Sequence, residues 1–216
     1  MAGGVVDQMP TTQSAKPMRF FQSPILLFAL ISLIVASCDQ PTQKLTRPKD
    51  SFLVADSMWG KSESDIRTIE TLRSFADKYG ELSYSGFVKF SPTDSLCTIL
   101  TYYFQSGKLN KVQHYLKFSS TADSPYVNTV RKVYAILLDA KGKPVDFNTR
   151  WHNDLYQHQP LMFARALRLG HVSYDAVWDS RLTKLKYDVF SDVDGELTIS
   201  LGYVSKEYSN MFTPER

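Results

Sequence analysis

The sequence predicts an α+β fold, an antiparallel β-meander of about seven or eight strands with one N-terminal helix packed on it. A capped stretch of helical period, residues 62–79, gives way after Gly80 to runs of period two. Short turns rich in Gly, Pro, Ser and Asp separate those runs, which makes neighbouring strands antiparallel and leaves one face of the sheet wet. Removing residues 1–37 of the 216 leaves 179, enough for one domain with a real core.

The elements follow in chain order. Ser62 can cap the helix, with Asp65 three residues on as in a capping box. Ile66, Ile69, Leu72, Ala76 and Tyr79 form its apolar stripe. Arg67, Glu70, Arg73 and Asp77 lie opposite, with pairs expected from Glu70 to Arg73 and from Arg73 to Asp77. Gly80 stops the helix. Strands are expected over 84–90, 96–104 and 109–118, the last two joined around Ser106-Gly107-Lys108. In 109–118, Val112, His114, Leu116 and Phe118 share one face. Residues 127–138 read as the next strand, and Lys141-Gly142-Lys143-Pro144 turns it into 145–151. There Val145, Phe147, Thr149 and Trp151 alternate with Asp146, Asn148, Arg150 and His152. Pro160 and Gly170 bracket a short helix over 161–169, although the same residues also suit a strand. A strand over 172–178 precedes a final hairpin. Leu185, Tyr187 and Val189 face one way in its first strand and Leu197, Ile199, Leu201 and Tyr203 in its second, around Asp194-Gly195. The tail from Ser205 is polar.

The N-terminal stretch has a different character. Arg19 precedes an apolar run over residues 25–35, which closes in Val35-Ala36-Ser37-Cys38. The run is about 11 residues, or ~17 Å of helix, against roughly 30 Å of bilayer hydrocarbon. It is therefore read as a cleaved export signal rather than a membrane span. Met18 makes a better start than Met1, because the basic segment before the run is then short.

Val35-Ala36-Ser37-Cys38 resembles the lipobox of bacterial lipoproteins, an aliphatic residue and two small residues before a cysteine. The resemblance implies that 1–37 are removed, that Cys38 carries a diacylglyceryl thioether, and that the new amino group is acylated. Two or three acyl chains, at about 0.8 kcal/mol per buried CH₂, make a lasting anchor. Residues 38–50, polar and carrying Pro41 and Pro48, are then a flexible tether, and 51–216 a single globular domain.

Net charge falls from +3 to +2 when Lys16, Arg19 and Asp7 leave with the signal. Near-neutral charge and export together argue against nucleic acid as a partner. With Cys38 lipidated, Cys97 lies in the apolar run Leu96-Cys97-Thr98-Ile99-Leu100 and is expected to be a buried small hydrophobe.

His152, Asp154 and His158 form the one cluster with a chemical look, a base with its orienter or part of a metal site. Their spacings of two and six fit neither a helical nor a strand pair of ligands, and no nucleophile motif accompanies them. His114, on an apolar strand face, is expected to be a satisfied core histidine. Residues 192–196 resemble only the start of a calcium loop and are read as a hairpin turn. Tyr102, Tyr103, Phe104, Tyr115, Phe118, Phe147 and Trp151 fill a core, or line an apolar cup under the helix. No sequence feature implies a cofactor. The expectation is a lipid-anchored, non-enzymatic binding or assembly module of the bacterial envelope, facing periplasm or exterior. The alternatives are a carrier of an apolar ligand in the aromatic cup, and a hydrolase or metal enzyme using His152, Asp154 and His158.

Overall fold

Eight antiparallel strands and a two-residue parallel piece make one sheet. The computed structural model describes residues 46–209, except 49, 92–93, 121 and 192–194. The expected signal, the lipobox and most of the tether lie outside the described residues. The strands are β1 (Thr46–Arg47), β2 (Arg73–Lys78), β3 (Glu81–Ser91), β4 (Asp94–Gln105), β5 (Lys108–Phe118), β6 (Asp146–Trp151), β7 (Val172–Asp179), β8 (Thr183–Ser191) and β9 (Leu197–Ser205). Their order is β1-β3-β4-β5-β9-β8-β7-β6, with β2 also on the outer edge of β3. The α+β meander is therefore present, but β9 inserts beside β5 and splits it into two runs.

The helices differ from expectation. Helix α1 spans only Glu63–Ile69; its capping box forms as read, with the Asp65 N–H donating to Ser62 Oγ at 3.2 Å. It ends because Glu70 turns extended and its carboxylate takes the backbone N–H groups of Thr71 and Leu72 at 2.7 and 2.8 Å. The rest of the expected helix is β2, hairpinned to β3 through Tyr79-Gly80. Ile66 and Leu72 of the expected stripe are buried, while Ile69 and Tyr79 are exposed. Asp77 pairs with Arg67 at 2.6 Å and not with Arg73.

The larger correction is 127–138, which is helix and not strand. Helix α2 runs Ser124–Lys141, with Pro125 in its first turn and Gly142 closing it. Tyr126, Thr129, Val133 and Leu137 are its buried residues, spaced three and four apart. Burying Val133 and Leu137 completely contributes roughly 2 kcal/mol each. Helix α3 (Phe163–Arg168) resolves 161–169 as helix, preceded by a 3₁₀ turn at Pro160–Met162. Gly170 follows at φ 69°, where a Cβ would stand 2.8 Å from the Ser191 carbonyl oxygen. The covering helices are thus α2 and α3 from mid-chain, not an N-terminal one.

The strands themselves are close to expectation. Ser106 and Gly107 take φ of 51° and 74° between the paired Gln105 and Lys108, as a two-residue hairpin requires. β6 is an edge strand, so its expected alternation yields no buried face, and Phe147 stays 48% exposed. Order begins before the expected boundary at 51, since Thr46 and Arg47 pair with Phe87 and Val88. The short turn Lys206–Ser209 ends the described chain.

The core lies on one face of the sheet. Helix α2 crosses its middle: the Tyr126 ring stands 5.4 Å from Phe118, and the Tyr126 hydroxyl donates to the Gly195 carbonyl at 2.5 Å. At its other end Trp178 Nε1 donates to the Gly142 carbonyl at 2.8 Å. The β3–β5 half is covered by the segment before β2, where Phe52 and Ile66 are fully buried. Two polar clasps hold that segment. Thr183 Oγ1 accepts from Trp59 Nε1 at 2.7 Å and donates to Asp56 at 2.5 Å. The fully buried Glu70 side chain accepts from the Tyr102 hydroxyl at 2.7 Å, with Arg47 at 3.6 Å. Glu70→Ala strands two N–H groups, a phenol and a guanidinium, and is expected to lower unfolding free energy by about 2–4 kcal/mol. Urea titration checks this, and a loss below about 1 kcal/mol would show the clasp to be replaceable by water.

Candidate functional site

Where α2 and α3 meet the β6–β8 half of the sheet, the cover is incomplete. A cleft of about 220 Å³ remains, open to solvent on one side. From α2 it takes Val127, Val130, Arg131 and Tyr134, three and four apart along one flank. From α3 it takes Phe163 and Leu167, and from the inward positions of β6, β7 and β8 it takes Phe147, Tyr174 and Tyr187. Tyr134 is the hub of this lining, with ring centroids 5.6 Å from Phe147, 6.0 Å from Trp178 and 5.9 Å from Tyr187. Tyr174 joins Phe147 and Phe163 at 6.1 and 5.7 Å.

The electrostatics are simple. Burial pushes the Tyr174 phenol up to about 12, with the Arg131 charge acting in the opposite direction. Burial also raises Tyr187, whose hydroxyl has no hydrogen-bond partner. Tyr174 and Tyr187 therefore stay protonated at neutral pH. Arg131, exposed on α2, is the single charged residue of the lining. The lining offers apolar rings, phenol hydroxyls and a guanidinium, which suits binding. Among the described residues it contains no His, Asp, Glu, Cys or Lys that could exchange a proton near pH 7.

Of the seven aromatic residues expected to form a cup, Phe147 alone lines this cleft. Trp151 stands one ring away, edge-on to Phe163 at 6.1 Å. Tyr102 is buried against Glu70, and Phe118 is half-buried against Tyr126. Tyr103 lies on the opposite face of β4, with Lys111 Nζ 4.8 Å from its ring centroid; Tyr115 likewise lies on the outward face of β5. Tyr134, Phe163, Tyr174 and Arg131 were not singled out in the sequence, and Tyr187 was read only as one of the same-face residues of the final hairpin. The helical spacing of 127, 130, 131 and 134 was the available signal, hidden by reading that stretch as a strand.

His152, Asp154 and His158 are not assembled into a site. All three are exposed, and His152 Nε2 is 2.8 Å from Ser173 Oγ. Asp154 opens a 3₁₀ turn capped by Asn153. Among the described residues no group of three or more His, Cys, Asp or Glu side chains is placed to hold a metal ion. Residues 192–194 of the expected hairpin turn lie outside the described residues. Cys97, expected buried, is half-buried on the outward face of β4 and is disulfide-bonded. Cys38, the other cysteine of the chain, lies outside the described residues. Among the described residues no helix is long and apolar enough to cross a membrane.

No family model, curated protein or solved structure matches the chain.

His114 is fully buried on the inner face of β5, as expected, but only half satisfied. Its Nε2 is 2.5 Å from Thr98 Oγ1, and its Nδ1 makes no hydrogen bond of good geometry. Burial pushes the imidazole down to about 3; the Arg47 charge adds to this and backbone contact with Phe52 opposes it. Its folded pKa is thus below the ordinary 6.5, so between those values the unfolded chain binds the extra proton. Stability from this group is complete above pH ~6.5 and falls by about 1.4 kcal/mol per unit toward pH ~3. Urea unfolding should show the wild type losing roughly 2 kcal/mol more than His114→Gln between pH 7 and pH 5. Equal pH slopes would show that the imidazole titrates normally.

Proposed function

We propose that this chain is a bacterial envelope lipoprotein whose folded domain is a non-enzymatic binding module. The export signal and the lipobox-like Val35-Ala36-Ser37-Cys38 support the anchor. Seven residues separate Cys38 from Thr46, the first residue paired to the sheet. The eight steps from Cys38 to Thr46, at about 3.5 Å each, keep the docked edge within ~28 Å of the lipidated residue.

The observation that carries the binding reading is the aromatic cleft between α2, α3 and β6–β8. A concave apolar site with few polar groups is what small-molecule recognition uses. This favours a small apolar ligand, the carrier reading, over a flat protein-docking surface. The enzymatic reading loses support, because His152, Asp154 and His158 are all exposed and His152 bonds to Ser173 rather than to Asp154.

Two measurements test these parts separately. Labelled palmitate should enter the wild-type chain and be lost in Cys38→Ala. The chain has two cysteines, so the anchor requires that Cys38 is not the disulphide partner of Cys97, because one sulphur cannot carry both a thioether and a disulphide. Peptide mass spectrometry of the mature protein should therefore find diacylglycerol on the Cys38 peptide, and a peptide crosslinked to Cys97 would overturn the anchor. For the cleft, mature protein in lipid nanodiscs should broaden the ¹⁹F signal of 3-(4-fluorophenyl)propan-1-ol beyond empty nanodiscs. Phe147→Asp, which places a charge in the lining, should abolish the excess. No excess in the wild type removes the small-ligand reading.

A further inference from the structure

The dimensions and charge of the cleft narrow its ligand, given the binding reading above. A cavity of about 150 Å³ suffices for benzene, and drug-sized ligands take roughly 300–1,000 Å³. At about 220 Å³ the cleft holds a single substituted ring or a short acyl chain, and excludes a whole phospholipid. Its walls are apolar on every element that contributes, and a bound ring would meet Tyr134, Phe147 and Tyr174 at stacking or edge-on distance.

Arg131 is the asymmetric feature. Among the described residues it is the only charged one of the lining, it is exposed, and it makes no ion pair or hydrogen bond. Some exposed arginines of the domain are engaged, Arg67 with Asp77 at 2.6 Å and Arg150 with Asp175 at 3.0 Å, while Arg73, Arg165 and Arg181 are exposed without such a pair among the described residues, so what sets Arg131 apart is its place on the cleft. An arginine on the rim of an otherwise apolar cleft, paired with no carboxylate among the described residues, is complementary to an anion that enters with its apolar end first. Its planar fork matches a carboxylate in particular.

We propose that the cleft binds a small amphipathic carboxylate, a single-ring or short-chain acid whose apolar part fills the space under α2 while Arg131 holds the carboxylate at the mouth. Because the charge stays at the rim, it keeps most of its hydration and needs no buried counter-charge. The mode sets a length limit, since a long-chain acid would leave much of its tail in water.

The test uses mature protein in nanodiscs and three ¹⁹F-observed probes: 3-(4-fluorophenyl)propanoate, the neutral alcohol above, and a terminally fluorinated hexadecanoate. The short acid should bind more tightly than the alcohol. Arg131→Gln should weaken the acid by about three- to tenfold and leave the alcohol unchanged. Because Arg131 is exposed and unpaired among the described residues, the variant keeps the fold, which an unchanged melting curve verifies. Equal binding of acid and alcohol, or an acid affinity indifferent to Arg131→Gln, overturns the carboxylate inference and leaves the apolar cleft standing. Tighter binding of hexadecanoate than of the short acid, retained in Arg131→Gln, overturns the size argument. Binding of none of the probes overturns the cleft reading itself.

Discussion

The sheet is too wide for one helix to cover, and much of the architecture answers that constraint. Its main path contains eight strands at about 4.8 Å spacing, roughly 34 Å across, while a helix covers about 10 Å. Every inward position of β9 is buried, so the centre is fully covered, with α2 docking at its start through Tyr126 and the segment at Val54 lying against Tyr203. The two flanks need separate covers. On the β3–β5 side the chain lays down Phe52, Val54 and Ile66 before it makes the first hairpin. On the β6–β8 side it uses α3, a helix of six residues, which leaves part of the apolar surface open. The cleft is thus the part of the inner face that neither helix reaches.

Polar groups hold the covers in place. Glu70 ends α1, caps the start of β2 and clasps Tyr102 and Arg47 with one carboxylate. Asp123, at the start of α2, pairs with Arg168 of α3 at 2.5 Å, so the two covering helices are tied to each other as well as to the sheet. Each of these contacts spans elements that hydrophobic burial alone would leave free to slide, because burial has no direction and hydrogen bonds do. The aromatic lining of the cleft stays splayed because Tyr134 packs on three rings that belong to three different strands.

Legibility followed the strength of local signals. The 108–118 strand and the final hairpin were readable because alternation and turn residues agreed. The cap at Ser62 was readable because its hydrogen bonds are local. The 127–138 stretch misled because Val127, Thr129, Val130, Val133 and Tyr134 are strand-favouring residues, and their preference outweighed a clear three-and-four spacing from Tyr126 to Leu137. The 62–79 stretch misled in the opposite sense. Its apolar period continued past Ile69, but Leu72 is buried from a turn and Ala76 sits only half-buried on a strand. The site was barely legible: Phe147 was named for the right cavity type, and the other named aromatics are spread over both faces and both halves of the sheet.

By itself the sequence determined an α+β meander, its hairpins and the capped first helix, because each rests on contacts between near neighbours in the chain. It also carries the lipobox-like segment, a pattern that is read linearly. Tertiary structure alone decided that β9 would lie beside β5, that a β-rich stretch would coil into the covering helix, and that a cleft would open under it. Those outcomes depend on which apolar surfaces are left over once the sheet has formed, and such a remainder has no local signature.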